Sequence, residues 1–339
     1  MTEPDVPAPL LEVRGLRVAA ITPAGELPLV RGIDFDLRTG TTLAIVGESG
    51  SGKTTSALAL LRLFPPRSRY RVSGTAMFRG TDLLSLPETA LRRVRGGELA
   101  VVFQDPATSL DPVRTVGSQI AEMAERHLRL GRRASRARAI DLLGLVGVPN
   151  PRRRVDRYPH ELSGGMRQRV MIATALAGDP AVLIADEPTS SLDVTVQAQV
   201  LALLKRASEE MGLATIIITH DVGIVAALAD DVAVMYAGRI VERGPRDEVL
   251  GRPDHPYTRG LIASVPGLDA PRGVRLRSIP GVPPELHDPI QGCAFEPRCP
   301  YRIERCARER PPLEPPDDDG SARVSACWVH PSRDVARVG

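Results

Sequence analysis

Residues 41–55 read TTLAIVGESGSGKTT, an apolar run that breaks into glycine and serine and ends on Lys-Thr-Thr. The run TTLAIVG (41–47) predicts a short buried strand, and SALALLRLF (56–64) predicts an apolar helix just beyond. Between them, Gly47-Glu48-Ser49-Gly50-Ser51-Gly52-Lys53-Thr54 matches the P-loop pattern GxxxxGK[ST] in the setting it requires, after a strand and at the start of a helix. The glycines let backbone N–H groups wrap phosphates without Cβ clashes, and the helix N-terminus adds partial positive charge. Lys53 supplies a compact ammonium for β- and γ-phosphates, and the Thr54 hydroxyl is a candidate Mg²⁺ ligand. Gly47, Ser49, Gly50, Ser51, Gly52, Lys53, Thr54 and Thr55 are therefore the expected phosphate-binding residues. Of 44 basic residues only Lys53 and Lys205 are lysines. An Arg fork is not equivalent at this position, which explains a Lys in an Arg-dominated chain. The bland alternative, a Gly/Ser-rich turn matching by chance, does not account for the strand and helix around it.

Composition sets the class. A chain of 339 residues with 42% hydrophobic and 25% charged residues is an ordinary globular protein able to bury a sizeable core. The start MTEPDVPAPLLEV lacks the basic beginning and apolar run of a signal peptide. No apolar stretch approaches the roughly 18 residues that would cross a bilayer. These features predict a cytosolic protein that partners could hold at a membrane. A net charge of +3 demands no nucleic-acid partner, and Arg152-Arg153-Arg154 reads as solvated surface.

Further apolar runs at 98–103 (ELAVVF), 181–185 (AVLIA) and 214–219 (ATIIIT) suit strands covered on both faces. Val196, Val200 and Leu203/Leu204 recur at helical spacing, with Asp193 as a start signal and Gly212 as a stop. The alternation predicts an α/β fold with a mostly parallel sheet, and residues 105–175 read as a helical insert. Near residue 251 the character changes, and 15 of 31 prolines fall in the last 89 residues. That composition predicts a C-terminal extension, 251–339, held by something other than a large core.

The run Val182-Leu183-Ile184-Ala185-Asp186-Glu187 predicts a strand that delivers Asp186 to a Mg²⁺ shell and places Glu187 to polarise an attacking water. Leu162-Ser163-Gly164-Gly165-Met166-Arg167-Gln168-Arg169 opens a second anion-binding helix. Two such helix ends that cannot both reach one nucleotide suggest a head-to-tail dimer.

Leu162 to Met166 resembles the LSGGQ signature of ABC-type ATPases, with Met166 in the final place. The resemblance implies a P-loop NTPase (RecA-like) nucleotide-binding domain over 1–250. It also implies that Ser163, Gly164, Gly165 and Met166 cap the nucleotide held by a partner's P-loop. Gln104 falls where the family has its Q-loop, implying roles at Mg²⁺, at the γ-phosphate and toward membrane subunits. Ser190-Ser191-Leu192-Asp193 resembles the D-loop, which implies that Asp193 lies near nucleotide at the dimer interface, and His220 resembles the switch histidine. The implied catalytic set is Glu187, His220, Lys53 and Gln104, with Thr54, Gln104 and Asp186 around Mg²⁺. One departure stands out: residues 1–34 contain no aromatic side chain to stack on adenine.

Residues 163–201, 255–269 and 279–306 are similar to the ATP-binding subunits of bacterial dipeptide and oligopeptide importers. The likeness implies a peripheral subunit on the cytoplasmic face of the cell membrane that drives two permease subunits. It further implies a second ABC ATPase subunit, identical or different, and indirectly an extracellular peptide-binding protein. Import of nickel or another small solute, or a soluble ABC-type ATPase acting on nucleic acid or ribosomes, are the alternatives. Against the last stand a single cassette and no sustained heptads.

All four cysteines lie late in the chain, as Cys293-x5-Cys299-x6-Cys306-x20-Cys327. A cytosolic chain argues against disulfides. The gaps are wider than zinc knuckles, and four thiolates so spaced suit a [4Fe–4S] cluster better. The family resemblance adds weight to a cluster. Zinc, with His330 in reserve, and unliganded thiols are the other readings. A metal staple would clamp the proline-rich tail.

Overall fold

The computed structural model describes residues 8–65, 68–190, 193–264, 278–285, 287–288, 290–316 and 322–331. Its strands are β1 (Leu11–Thr22), β2 (Gly25–Leu37), β3 (Thr42–Val46), β4 (Arg69–Phe78), β5 (Thr81–Asp82) and β6 (Leu99–Val102). They continue with β7 (Val182–Asp186), β8 (Ala214–Thr219), β9 (Asp231–Tyr236), β10 (Arg239–Pro245) and β11 (Val324–Ser325). The chain divides into two compact units. One holds the described part of Met1–Leu10 with Leu37–Thr42 and Ser85–Ile218; the other holds Leu11–Asp36, Leu43–Leu84 and the described part of Thr219–Gly339.

In the first unit β6, β7 and β8 run parallel, with Leu99 opposite Val182 and Val182 opposite Ala214. Every residue of β7 and β8 is buried, which is why these segments read as unbroken apolar runs. Helices fill residues 106–176, the longest being Val116–Leu128, Arg132–Leu145 and Gly164–Leu176, and these three pack on one another. The helix Val194–Met211 begins and ends where the sequence predicts: the Asp193 side chain accepts the Val196 N–H at 3.0 Å, and Gly212 closes it at φ 63°.

The second unit contains a sheet that the sequence reading did not foresee. Its strand order is β2-β1-β4-β5, and β1 pairs with β4 antiparallel, Leu11 opposite Phe78 and Val13 opposite Ala76. A period-two signal was present at Ile33, Phe35 and Leu37, all buried along β2. The same unit carries the order β11-β10-β9-β3, in which only β3 and β9 are parallel.

Among the described C-terminal residues, shared packing is what holds them to the strands before them. Tyr257, Leu261 and Phe295 belong to one buried cluster with Val46, Val234, Tyr236, Val241 and Val249. Phe295 meets Tyr236 edge-on at 5.4 Å between centroids and Tyr257 at 5.5 Å. β11 adds to β10 through Glu242–Ser325 and Arg243–Val324 pairing, and the Ala326 N–H reaches the Val241 carbonyl at 2.8 Å. The tail has little core of its own and completes that of the strands before it.

Candidate functional site

The candidate residues divide between the two units. In the second, β3 ends at Val46 and the helix Lys53–Leu60 begins six residues after Gly47. Gly47 passes so close to β9 that a Cβ would lie 2.2 Å from the Met235 carbonyl oxygen. Gly52 caps the helix at φ 100°, a conformation that disfavours any side chain. The Lys53 ammonium is buried and donates to the carbonyls of Gly47 at 2.8 Å and Glu48 at 2.9 Å. Ser51 is 4% exposed, and its hydroxyl has no hydrogen-bond partner among the described residues. A buried ammonium and an unsatisfied hydroxyl on a glycine-rich helix entrance fit a phosphate group. A cavity of about 360 Å³ opens beside Glu48, Ser49, Gly50 and Ser51, walled by Leu27, Tyr236 and Pro283. Thr54 is exposed and Thr55 half-buried at the first turn of the helix. His220 is exposed, between β8 and a helix capped by Asp221, whose side chain accepts the Gly223 N–H at 2.7 Å.

The first unit brings together Gln104, Asp186 and Glu187. Asp186 closes β7 and is 6% exposed. Glu187 follows at φ 44°, in the left-handed region, and its N–H donates to the Ile218 carbonyl at 2.9 Å. That conformation is costly for a non-glycine residue and turns the chain sharply out of the strand. Gln104 Nε2 donates to Glu187 Oε2 at 3.4 Å. Ser163 caps the helix Gly164–Leu176 by accepting the Met166 N–H at 3.4 Å. Its neighbour Gly165 faces Val196, where a Cβ would stand 2.8 Å from the valine methyl, so the signature helix and the helix begun by Asp193 abut. Gln168 Nε2 donates to the Pro188 carbonyl at 2.6 Å, tying the signature helix to the turn after Glu187. Of the residues read as a D-loop, Ser191 and Leu192 lie outside the described residues.

The cysteine reading is corrected by the structure. Among the described residues, which include all four cysteines, no group of three or more His, Cys, Asp or Glu side chains is placed to hold a metal ion. Cys293, Cys299, Cys306 and Cys327 are free. Burial pushes the Cys293 and Cys327 thiols up to about 11 and raises Cys299 as well. Cys293 donates its N–H to the Cys306 carbonyl at 2.7 Å, so backbone pairing joins the two segments. His330, the reserve zinc ligand, sits 2.8 Å from Asp254 Oδ2. Neither the [4Fe–4S] cluster nor the zinc alternative stands.

The sequence reading also passed over Arg298, Tyr257 and Tyr236, which surround the phosphate loop. Arg298 donates to both carboxylate oxygens of Glu48, at 2.8 and 3.0 Å, and Tyr257 Oη accepts the Glu48 N–H at 2.8 Å. No local pattern marks a pair 250 positions apart.

No described helix is long and apolar enough to cross a membrane. Residues 30–190 match the ABC transporter family, and residues 241–306 match the C-terminal region of oligopeptide/dipeptide transporters. The chain is 48% identical over 322 residues to the oligopeptide transport ATP-binding protein OppD of Bacillus subtilis, covering 95% of this chain and 89% of that protein. It is 44% identical over 324 residues to the dipeptide transport ATP-binding protein DppD of the same organism, covering 96% of each. In fold it is similar to a dimeric, post-hydrolysis structure of the ATP-binding cassette MJ0796 bound to ADP and Pi. That likeness has a TM-score of 0.62 at 24% identity and covers 70% of this chain and 98% of the other. With the cassette and the C-terminal region matched in order along nearly its whole length, the chain belongs to the ABC transporter family, among the oligopeptide and dipeptide transport ATP-binding proteins.

Proposed function

We propose that this chain is the ATP-hydrolysing subunit of a dipeptide or oligopeptide importer. The observation that carries this reading is a likeness unbroken from the phosphate loop through the C-terminal region, because a cassette alone does not separate importers from other ABC ATPases. Residues 1–250 act as the ATPase domain, with a helical subdomain at about 105–175, and residues 251–339 as a proline- and cysteine-rich extension. The subunit works at the cytoplasmic face of the membrane, bound to two permease subunits and paired with a second ATPase, identical or different. An extracellular peptide-binding protein delivers the cargo.

In this reading Gly47 to Thr55 hold the phosphates of ATP, with the Ser51 hydroxyl and the Lys53 ammonium directed to them. Mg²⁺, when bound through Thr54, Gln104 and Asp186, offsets phosphate charge. Glu187 orients and polarises water, Gln104 and His220 attend the γ-phosphate, and Ser163 to Met166 with Asp193 serve the partner's nucleotide.

Glu187→Gln tests the assignment. It is expected to keep ATP binding and to lose about 10²-fold or more in turnover, whereas Lys53→Ala loses binding or turnover outright. Near-normal hydrolysis by Glu187→Gln overturns the role of Glu187, and unchanged kinetics in Lys53→Ala overturn the phosphate site. Co-purification with detergent-solubilised permeases, and peptide uptake by the reconstituted complex, test the transport role.

A further inference from the structure

Glu48 occupies a position where the P-loop pattern accepts any residue, yet it is held from three directions. Its carboxylate takes both arms of the Arg298 guanidinium, at 2.8 and 3.0 Å. Its N–H donates to Tyr257 Oη at 2.8 Å. Its carbonyl accepts from Lys53 Nζ at 2.9 Å and from the Ser51 N–H at 3.2 Å, both within the loop. Arg298 is itself immobilised. Its side chain is 4% exposed, its Nε donates to the Pro280 carbonyl at 2.9 Å, and it lies 5.8 Å over the rings of Tyr236 and Phe295. A planar fork with satisfied donors and packed faces is a rigid anchor, and a bidentate pair fixes direction as well as distance.

We propose that Arg298 and Tyr257 are positioning residues for ATP binding, holding the P-loop in its phosphate-receptive shape by clamping Glu48. The inference rests on the nucleotide site proposed above and adds that C-terminal residues set its affinity. Arg298 reaches the phosphates only through Glu48 and the loop backbone, so its loss loosens the nearest support of the cradle.

The test is calorimetric titration of the full chain with MgATP. Arg298→Met removes the fork while keeping apolar volume, and it is expected to raise Kd about tenfold, equivalent to about 1.4 kcal/mol. Arg298→Lys, which keeps charge without the fork, is expected to fall between Met and wild type. Glu48→Gln should weaken binding similarly, and the double variant Glu48→Gln/Arg298→Met should bind no more weakly than the worse single one. A purely architectural role for Arg298 would lower the binding-competent fraction and leave Kd of the remainder unchanged, which overturns the proposal. Additive effects in the double variant overturn it too. Should Arg298→Met fail to fold, Tyr257→Phe decides: a Kd raised about threefold supports the clamp, and an unchanged one refutes it. Lys53→Ala keeps the two readings apart. Lost binding or turnover there with a normal Arg298→Met refutes the clamp alone, and retained binding with unchanged turnover in Lys53→Ala refutes the nucleotide site.

Discussion

If shared packing holds the C-terminal residues, removing the ring of Phe295 should release them. Phe295 is 2% exposed, with Tyr236, Tyr257 and His255 at centroid distances of 5.4, 5.5 and 5.8 Å. Truncating a buried Phe to Ala typically costs about 3–5 kcal/mol, and each well-placed aromatic pair adds about 0.5–1.5 kcal/mol beyond area burial. With three ring neighbours, Phe295→Ala is expected to cost at least the middle of the first range, about 4 kcal/mol. The chain has a single tryptophan, Trp328, on which Arg305 stacks at 3.5 Å from the ring centroid. Its fluorescence therefore reports the C-terminal residues. With a urea slope of about 2 kcal/mol per molar, the Trp328 transition should move down by about 2 M. Phe103→Ala is the control, since Phe103 is 39% exposed and its loss should cost about 0.5 kcal/mol or less. Equal, small shifts for both variants would refute the packing account.

Two further outcomes concern acidic residues, Glu187 just past β7 and Glu242 within β10. Glu187→Gly and Glu187→Ala both remove the carboxylate, but only glycine adopts φ 44° without strain. The Gly variant should be the more stable of the two by about 1 kcal/mol in urea unfolding, and an Ala variant of equal stability would refute the strain. Glu242 is fully buried in β10, where it accepts the N–H groups of Asp254 and His255 at 2.8 and 2.9 Å, and burial pushes its carboxyl from 4.5 up to about 7. A carboxyl raised in the fold contributes stability that is full below pH 4.5 and lost as pH rises through about 7. His255 opposes it: burial lowers its imidazole from 6.5 to about 4, so its stability is lost as pH falls from 6.5 towards 4. Glu242→Gln should therefore lose more stability than wild type on acidification from pH 7 to 4.5, by at most about 3 kcal/mol. Parallel pH profiles for the two proteins would refute the burial effect.

The sequence alone determined the glycine-rich loop between β3 and the helix Lys53–Leu60, the strands that end at Asp186 and just before His220, and the helix from Asp193 to Gly212. Each is a local rule: glycines and a lysine at set spacing, an apolar run buried on both faces, a cap at each end. It also carried the family, because the signature and the C-terminal stretch are contiguous. The tertiary structure decided what local rules do not reach. The antiparallel sheet of β1, β2, β4 and β5 forms from segments up to 67 positions apart, as in the pairing of Leu11 with Phe78. The cysteine spacing pointed to a metal staple because the tail is short of apolar residues. Tyr236, Tyr257 and Phe295, too scattered to read as a core, meet in one cluster and supply the packing instead. Glu48 and Arg298 are an unmarked loop position and one arginine among many until folding sets them 2.8 Å apart. Such pairings depend on where the whole chain places each segment, and no stretch of it encodes that alone.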